Sequence, residues 1–422
     1  MNEMQSRPVN IDSADYYSDN ILPKGFWEWT LLLFIISSLT VSYIPGLTKL
    51  TVLYGIMLVG LFFIYFLHNR VSLELPPEVV AYFIWIIWSL GGLVNAADMT
   101  LYTAQMKTII QMGIMIAFVA IITARRQKFA LIMLALAIGG IIAGALSIYS
   151  GEYRDLSAEG RVRAEGITGN ANAFGYFLLF VIVSVIYFLK RNLSLFWKII
   201  LSIVTLFSFV FIILSGSRKS FLGVFVFIFL WIIFCQLKNI TKNPLRVTLI
   251  LIILLGGTYF AVDYVISKTY LGHRLENMDD RSNQTRMQMY MEGLDMIKKY
   301  PLVGVGLDNY RVWSSSQLYS HSDYTEVAAN TGIIGFVLYF SVYVILWLRL
   351  NRIKAMTNNP HLLYTVGLIK AIVITMLLIA FGRVNITSKL TWIFLAAVFG
   401  YTWSAEQTLR KRRVLDDSNK SR

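Results

Sequence analysis

His321 opens the stretch HSDYTEVAANTGIIG, in which polar and acidic residues give way to a small, apolar helix start. It is one of 4 histidines in the chain. Imidazole titrates near working pH, which suits a general base or a hydrogen-bonding group toward a hydroxyl. Two other roles stay open. His321 also suits a helix entry, with Ser322 or Asp323 as N-cap. The third is a metal ligand with His273, although no close ligand spacing accompanies the pair. Asp323 and Glu326 follow at once and are candidates to orient the ring.

Arginines gather in other motifs. SGSRKSFLG, residues 215–223, interrupts an apolar run from 195 to 234 and carries Arg218 and Lys219. The planar fork of an arginine donates two parallel hydrogen bonds to phosphate oxygens. The same arginine also suits an interfacial turn that snorkels to lipid headgroups. RVRAEGITGNANAFG, residues 161–175, pairs Arg161 and Arg163 with a Gly/Asn-rich helix start that Asn172 is placed to cap. The two arginines share a face only if that stretch is extended. RSNQTRMQMY holds Arg281 and Arg286, and PLVGVGLDNY supplies a sharp turn just ahead of Arg311. MDDR places Asp279 and Asp280 side by side, a pattern shared by acidic metal sites and solvated loops.

The elements that must position these residues follow from composition. The 422 residues are 56% hydrophobic and only 15% charged, and the mean hydropathy is +0.61. Soluble domains carry about 25% charged residues. Long apolar blocks such as FLLFVIVSVIYFL indicate transmembrane helices. The short alternating segments of a membrane barrel are missing from the sequence. The expected fold is therefore an all-α, polytopic bundle of about 12 spans. The spans fall near 27–45, 48–67, 77–95, 105–124, 129–148, 172–189, 195–215, 220–236, 247–266, 329–349, 362–381 and 387–404. The single cysteine, Cys235, lies in an apolar block and has no partner for a disulfide or a thiolate site. The polar N-terminal residues, with no small-residue cleavage site after the first apolar block, do not read as a cleavable signal peptide.

Loop charge orients the path. Basic clusters at 125–128, 190–198, 238–246, 349–354 and 410–413 alternate onto one side, the expected cytoplasmic side, together with the N-terminus. The net charge of +14 is thereby explained without nucleic acid. The expected organisation is a cytoplasmic tail at 1–25, spans one to nine across 26–266, an outer segment at 267–328, spans ten to twelve at 329–404 and a basic cytoplasmic tail at 405–422. Arg154, Arg161, Arg163, Arg218, Lys219, Arg274, Arg281, Arg286, Arg311 and Arg383 then fall on the outer side or at the outer membrane edge, against the positive-inside rule. An anionic ligand at the outer leaflet is one reason for them. In the outer segment, Met287, Met291, Leu294 and Ile297 recur at helical spacing, an amphipathic helix resting on the membrane or on the bundle.

Taken in order, the arginine loop ending GNANAFG, SGSRKSF between two spans, an arginine ahead of PLVGVGLDNY and HSDYTEVAANTGIIG at a late span resemble the O-antigen ligase and O-antigen polymerase family. The likeness covers the whole topology and is strongest from about 166 to 335. It implies a glycosyltransferase of the cytoplasmic membrane that works at the outer face. The implied donor is an undecaprenyl diphosphate-linked glycan, and the acceptor is lipid A-core or another glycan. The route is that of lipopolysaccharide or exopolysaccharide assembly. No cofactor, metal or nucleotide sugar is implied. The likeness matches Arg218, Arg286 and His321 to the family's catalytic positions, and Arg161 or Arg163 to its arginine before the helix start. Lys219, Arg311, Asp323 and Glu326 join them as expected substrate contacts. GSRKS departs from the arginine-then-small pattern of many relatives, which ties Lys219 to this protein's own ligand. A transporter or flippase of a lipid-linked or anionic glycan is the alternative. Transporters place charged or broken helices near the bilayer midplane, whereas the charges here collect at the outer edge.

Overall fold

The computed structural model describes residues 23–420 apart from 24, 42–43, 45, 70–73, 127, 150–162, 192, 237–270 and 272–279. The described residues are helical, with no strand among them. Among the described residues, helices overlap eleven of the twelve expected span positions. They are α1 (Phe26–Leu39), α2 (Thr48–Asn69), α3 (Pro77–Ser89), α4 (Met99–Arg126), α5 (Phe129–Tyr149), α6 (Ala171–Leu189), α7 (Leu195–Leu214) and α8 (Arg218–Trp231). After them come α9 (Asp280–Lys299), the short α10 (Tyr310–Trp313), α11 (Asp323–Met356), α12 (Pro360–Ala380) and α13 (Lys389–Lys420). The expected span at 247–266 lies outside the described residues, as do Arg161, His273 and Asp279. Among the described residues, 8 helices are long and apolar enough to cross a membrane. The chain is a multi-pass membrane protein.

Burial follows the sequence of each helix. α6 is apolar on every side, as a helix surrounded by others must be, and Phe174, Phe180, Val181 and Val183 on it are fully buried. α7 instead shows Phe196, Trp197, Ile203 and Leu206 on the surface, the kind of face that lipid covers. α4 and α13 run close together, and a side chain at Gly400 would collide with the Ala120 carbonyl. Small residues permit this approach in membrane helix pairs.

α11 begins earlier than the apolar run alone predicts, because Ser322 caps it and its first turns are polar. It is also broken at Gly332 (φ 71°, ψ 179°). The break frees backbone groups that a helix would pair internally, and in an apolar setting these need partners. The PLVGVG turn supplies them. Val305 N–H donates to the Ala329 carbonyl at 2.9 Å, and Gly306 N–H to that of Asn330 at 3.1 Å. Ile333 N–H donates to the Pro301 carbonyl at 2.8 Å, and the Trp88 indole donates to the Thr331 carbonyl at 3.2 Å. A Cβ at Gly332 would run into the Leu302 carbonyl. One at Gly304 (φ 70°) would meet the backbone of Asn330 and Thr331. The turn is thus fitted into the helix break, and residues 323–331 form a short, independently aimed helix above it.

The expected amphipathic helix is α9. Met289 and Met296 are buried in a small cluster with Val305, Tyr310 and Ala329, and Ile297 packs against it. Met287, Met291 and Leu294 stay exposed. Of the expected stripe, Met287, Met291 and Leu294 point away from the bundle, while Gly293 lets the other side press against Thr325 and Tyr310.

The opposite end of α11 carries a buried ionic cluster. Arg349 Nη2 lies 2.9 Å from Glu78 Oε2, and its Nε lies 3.2 Å from Glu406 Oε2. Arg352 and Arg410 approach the same Glu406 at 3.0 and 2.7 Å. This cluster ties the start of α3 to α11 and α13, far along the bundle from His321.

Candidate active site

Three helix starts meet at one end of the bundle. Asn170 caps α6, its Oδ1 accepting from Asn172 N–H at 2.9 Å and Ala173 N–H at 3.1 Å. Ser217 caps α8 by accepting from Ser220 N–H, and Ser322 caps α11 by accepting from Thr325 N–H, each at 3.4 Å. Residues from all three first turns, including Asn172, Ser220 and Glu326, line a single cavity of about 280 Å³. A helix start carries partial positive charge and favours an anion. The capping residue of α6 is Asn170, not the expected Asn172. Asn170 has the extended backbone a cap needs (φ −152°, ψ 110°).

Asn172 instead joins two arginines. Its Oδ1 accepts from Arg163 Nη2 at 3.2 Å, and its carbonyl accepts from Arg383 Nη1 at 3.4 Å. Arg163 Nε also donates to the Ser215 carbonyl at 2.9 Å, which fixes the turn ahead of α8. Lys219 lines the cavity and runs over Gly382, where a Cβ would lie 2.8 Å from its Nζ. Arg383 lines the cavity as well, with its guanidinium 4.3 Å from the centre of the Tyr176 ring. Arg311 is held against Asp308 by Nη2 at 2.6 Å and Nε at 2.9 Å, and both face the cavity.

His321 faces the same space. Its backbone is left-handed (φ 58°), which is uncommon for a residue with a side chain. Such strain tends to persist where the surroundings impose it, often at functional sites. The ring stands edge-on to Tyr319, centroids 4.4 Å apart. Burial, then the nearby charges of Lys219 and Arg286, pull its pKa down to about 4. The imidazole is therefore neutral at pH 7, with a lone pair to accept a proton.

The carboxylates expected to orient this ring are engaged elsewhere. Asp323 Oδ1 accepts from Asn385 N–H at 2.9 Å, and its Oδ2 accepts from the Tyr339 hydroxyl at 3.1 Å. Glu326 Oε2 accepts from Ser320 N–H at 2.7 Å, and its Oε1 from Asn330 Nδ2 at 3.0 Å. Both are almost fully buried. They shape the loop on which His321 sits, while Tyr319 packs against the ring.

The cavity thus brings together His321, Lys219, Arg311 and Glu326 of the residues expected from the sequence. Arg218 begins α8 beside Lys219. Arg286, on α9, is close enough for its charge to act on both His321 and Tyr290. Neither arginine is part of the cavity lining. No motif in the sequence points to Tyr176 or Tyr319, and Arg383 and Asn385 stand out there only as a short turn whose basic residue falls on the unexpected side. That charge imbalance was the one signal pointing to it. Among the described residues no group of acids, histidines and cysteine is placed to hold a metal.

Residues 203–340 match the family model of O-antigen ligase. The matched segment runs from α7 through Arg218, Arg286, the turn at 301–306 and His321 to beyond the Gly332 break. No curated protein matches the chain.

Proposed function

We propose that this protein, a member of the O-antigen ligase and polymerase family, transfers a glycan from an undecaprenyl diphosphate carrier to an acceptor hydroxyl. In this reading the cavity opens at the outer face of the cytoplasmic membrane and both termini are cytoplasmic. The acceptor is a lipid A-core sugar in a ligase, or the end of another lipid-linked glycan in a polymerase. The observation that carries the reading is the cavity itself, where three helix starts and the cations Lys219, Arg311 and Arg383 surround a neutral histidine.

The chemistry matches those parts. The acceptor oxygen attacks the anomeric carbon and forms the new glycosidic bond. The bond from that carbon to the diphosphate oxygen breaks, and its electron pair leaves with the diphosphate. His321 takes the hydroxyl proton. Arg218 and Arg286, with Arg163, Lys219 and Arg311, oppose the charge that grows on the leaving group, which preplaced dipoles and cations stabilise best where water is partly excluded. Arg161, outside the described residues, belongs to the same proposed arginine loop. Asp323 and Glu326 hold the loop rather than touch the proton. A bound diphosphate also offsets the cations that depress His321, so the base strengthens when the donor arrives.

The helix break at Gly332 is the feature that a transporter would share. Here its freed backbone groups are taken by the turn at 301–306 and by Trp88, which supports a fixed scaffold over a transport path. The test is single-turnover transfer from lipid-linked donor by purified wild type, Arg218→Ala, Arg286→Ala and His321→Ala, each shown to be folded. Loss of transfer in all three variants is expected. Near-normal transfer by all three contradicts the reading.

A further inference from the structure

Arg383 lies in the turn between α12 and α13, outside the matched family segment. We propose that Arg383 and Lys219 together form the subsite that grips the diphosphate of the donor, with Tyr176, Asp323 and Asn385 as the residues that position Arg383. This inference rests on the transfer function proposed above.

The guanidinium is constrained on its face and on its edge. Tyr176 lies beneath it at 4.3 Å. Its Nε donates to Asn385 Oδ1 at 3.1 Å, and its Nη1 donates to the Asn172 carbonyl at 3.4 Å. Stacking on an aromatic ring favours a cation, and a guanidinium held in one plane presents its fork with little ordering left to lose. The backbone is constrained too. Asp323 N–H donates to the Arg383 carbonyl at 3.1 Å, while Asp323 Oδ1 accepts from Asn385 N–H at 2.9 Å. Asp323 is 1% exposed and stands two residues after His321. One buried carboxylate therefore fixes the distance between the proposed base and the arginine.

Lys219 comes from a different helix and arrives at the same turn. Its side chain packs on Gly382, the residue before Arg383. A side chain larger than hydrogen at 382 would occupy the space taken by that lysine. The carboxylates lining the cavity are committed to other groups: Asp308 to Arg311, and Glu326 to Ser320 and Asn330. A planar fork and a point charge on adjoining walls suit two linked phosphates better than one.

The probe is inorganic pyrophosphate, titrated calorimetrically into the purified full-length protein in detergent, with orthophosphate as the comparison. Wild type is expected to bind pyrophosphate in preference to orthophosphate. Loss of a charge-assisted hydrogen bond should weaken pyrophosphate binding about tenfold or more in Arg383→Gln and in Lys219→Gln. Arg383→Lys should recover part of the loss, which a purely structural arginine would not show. The donor KM in transfer assays should rise in the same order. Lys219→Gln leaves the Asp323–Asn385 link intact and decides the matter if Arg383→Gln does not fold. Unchanged pyrophosphate affinity in the folded variants, or equal affinity for orthophosphate in wild type, overturns the subsite. Because this binding needs no glycan, the two claims fail separately. Pyrophosphate binding that depends on Arg383, without any glycan transfer, contradicts the transfer reading and not the subsite.

Discussion

Asp323 and Asn385 meet across 62 residues of sequence, where Asp323 Oδ1 accepts the Asn385 backbone N–H at 2.9 Å. The same carboxylate takes the Tyr339 hydroxyl, and the Asp323 backbone holds the Arg383 carbonyl. Removing it orphans two buried donors, the Tyr339 hydroxyl beyond the helix break on α11 and the Asn385 N–H in the turn before α13. Asp323→Ala should cost about 1–3 kcal/mol of stability for each buried group left unpaired. It should also depress transfer more than Asp323→Asn, which keeps an acceptor oxygen. Thermal unfolding in detergent beside a transfer assay measures both. Equal activity of Asp323→Ala and wild type would remove Asp323 from the positioning of the site.

The pH dependence of His321 follows from its depressed pKa of about 4. The unfolded chain takes this proton near pH 6.5, as an ordinary histidine does. Between those two values the unfolded state binds more protons, so stability falls as pH drops from about 6.5 toward 4. His321→Asn should flatten that part of the stability profile. In transfer, kcat/KM should hold steady down to about pH 5 and fall through about pH 4 as the free enzyme's base protonates. His321→Ala should slow transfer by about 10²–10⁴-fold, the usual contribution of a positioned general base. NMR titration of the His321 ring, with and without pyrophosphate, should show its pKa rising when the anion binds.

The Gly332 break gives a prediction about the scaffold. Gly332→Ala places a Cβ against the Leu302 carbonyl at a left-handed backbone position. Such a change either restores a continuous helix and expels the turn at 301–306 or strains both. Destabilisation of more than about 2 kcal/mol is expected. Limited proteolysis of the 300–322 loop reads the change, with faster cleavage in Gly332→Ala than in wild type.

These particulars show what was legible before the structure. The positions of the described helices were readable because a bilayer demands continuous apolar length. The gathering of His321, Lys219 and Arg311 was readable as an unexplained excess of positive charge on one side. Caps were less so. NAN offers two asparagines, and only the backbone selects Asn170 over Asn172. The helix break was hidden because TGIIG looks like an ordinary small-residue helix start, and its partner lies some thirty residues upstream at Pro301. Arg383 stands in no motif, and its surroundings are built by Tyr176, Lys219 and Asp323, each from a distant part of the chain. Pairing over such separations leaves no local pattern.

At the other end, the buried charges of Arg349, Glu78 and Glu406 test the bundle independently of the site. The side chains of Arg349 and Glu78 are wholly buried. Without Glu78, the buried Arg349 Nη2 loses its carboxylate and only Nε keeps Glu406, and a fully uncompensated buried charge costs about 3–5 kcal/mol as an upper bound. Glu78→Ala should therefore lower the thermal midpoint sharply, while the double change Glu78→Met, Arg349→Met should restore much of it. Pyrophosphate affinity of the folded double variant should match wild type, because the cluster is remote from His321.

The central claim is glycan transfer from a lipid carrier with His321 in the site. It is tested most directly in a strain deleted for this protein and complemented with wild type or His321→Ala at equal protein levels, with surface glycans run on a gel beside lipid-linked intermediates. The account predicts that deletion and His321→Ala both accumulate lipid-linked glycan. Long chains that never reach lipid A-core would mark a ligase, and single repeat units a polymerase. Unchanged surface and lipid-linked glycans in both strains would contradict the account.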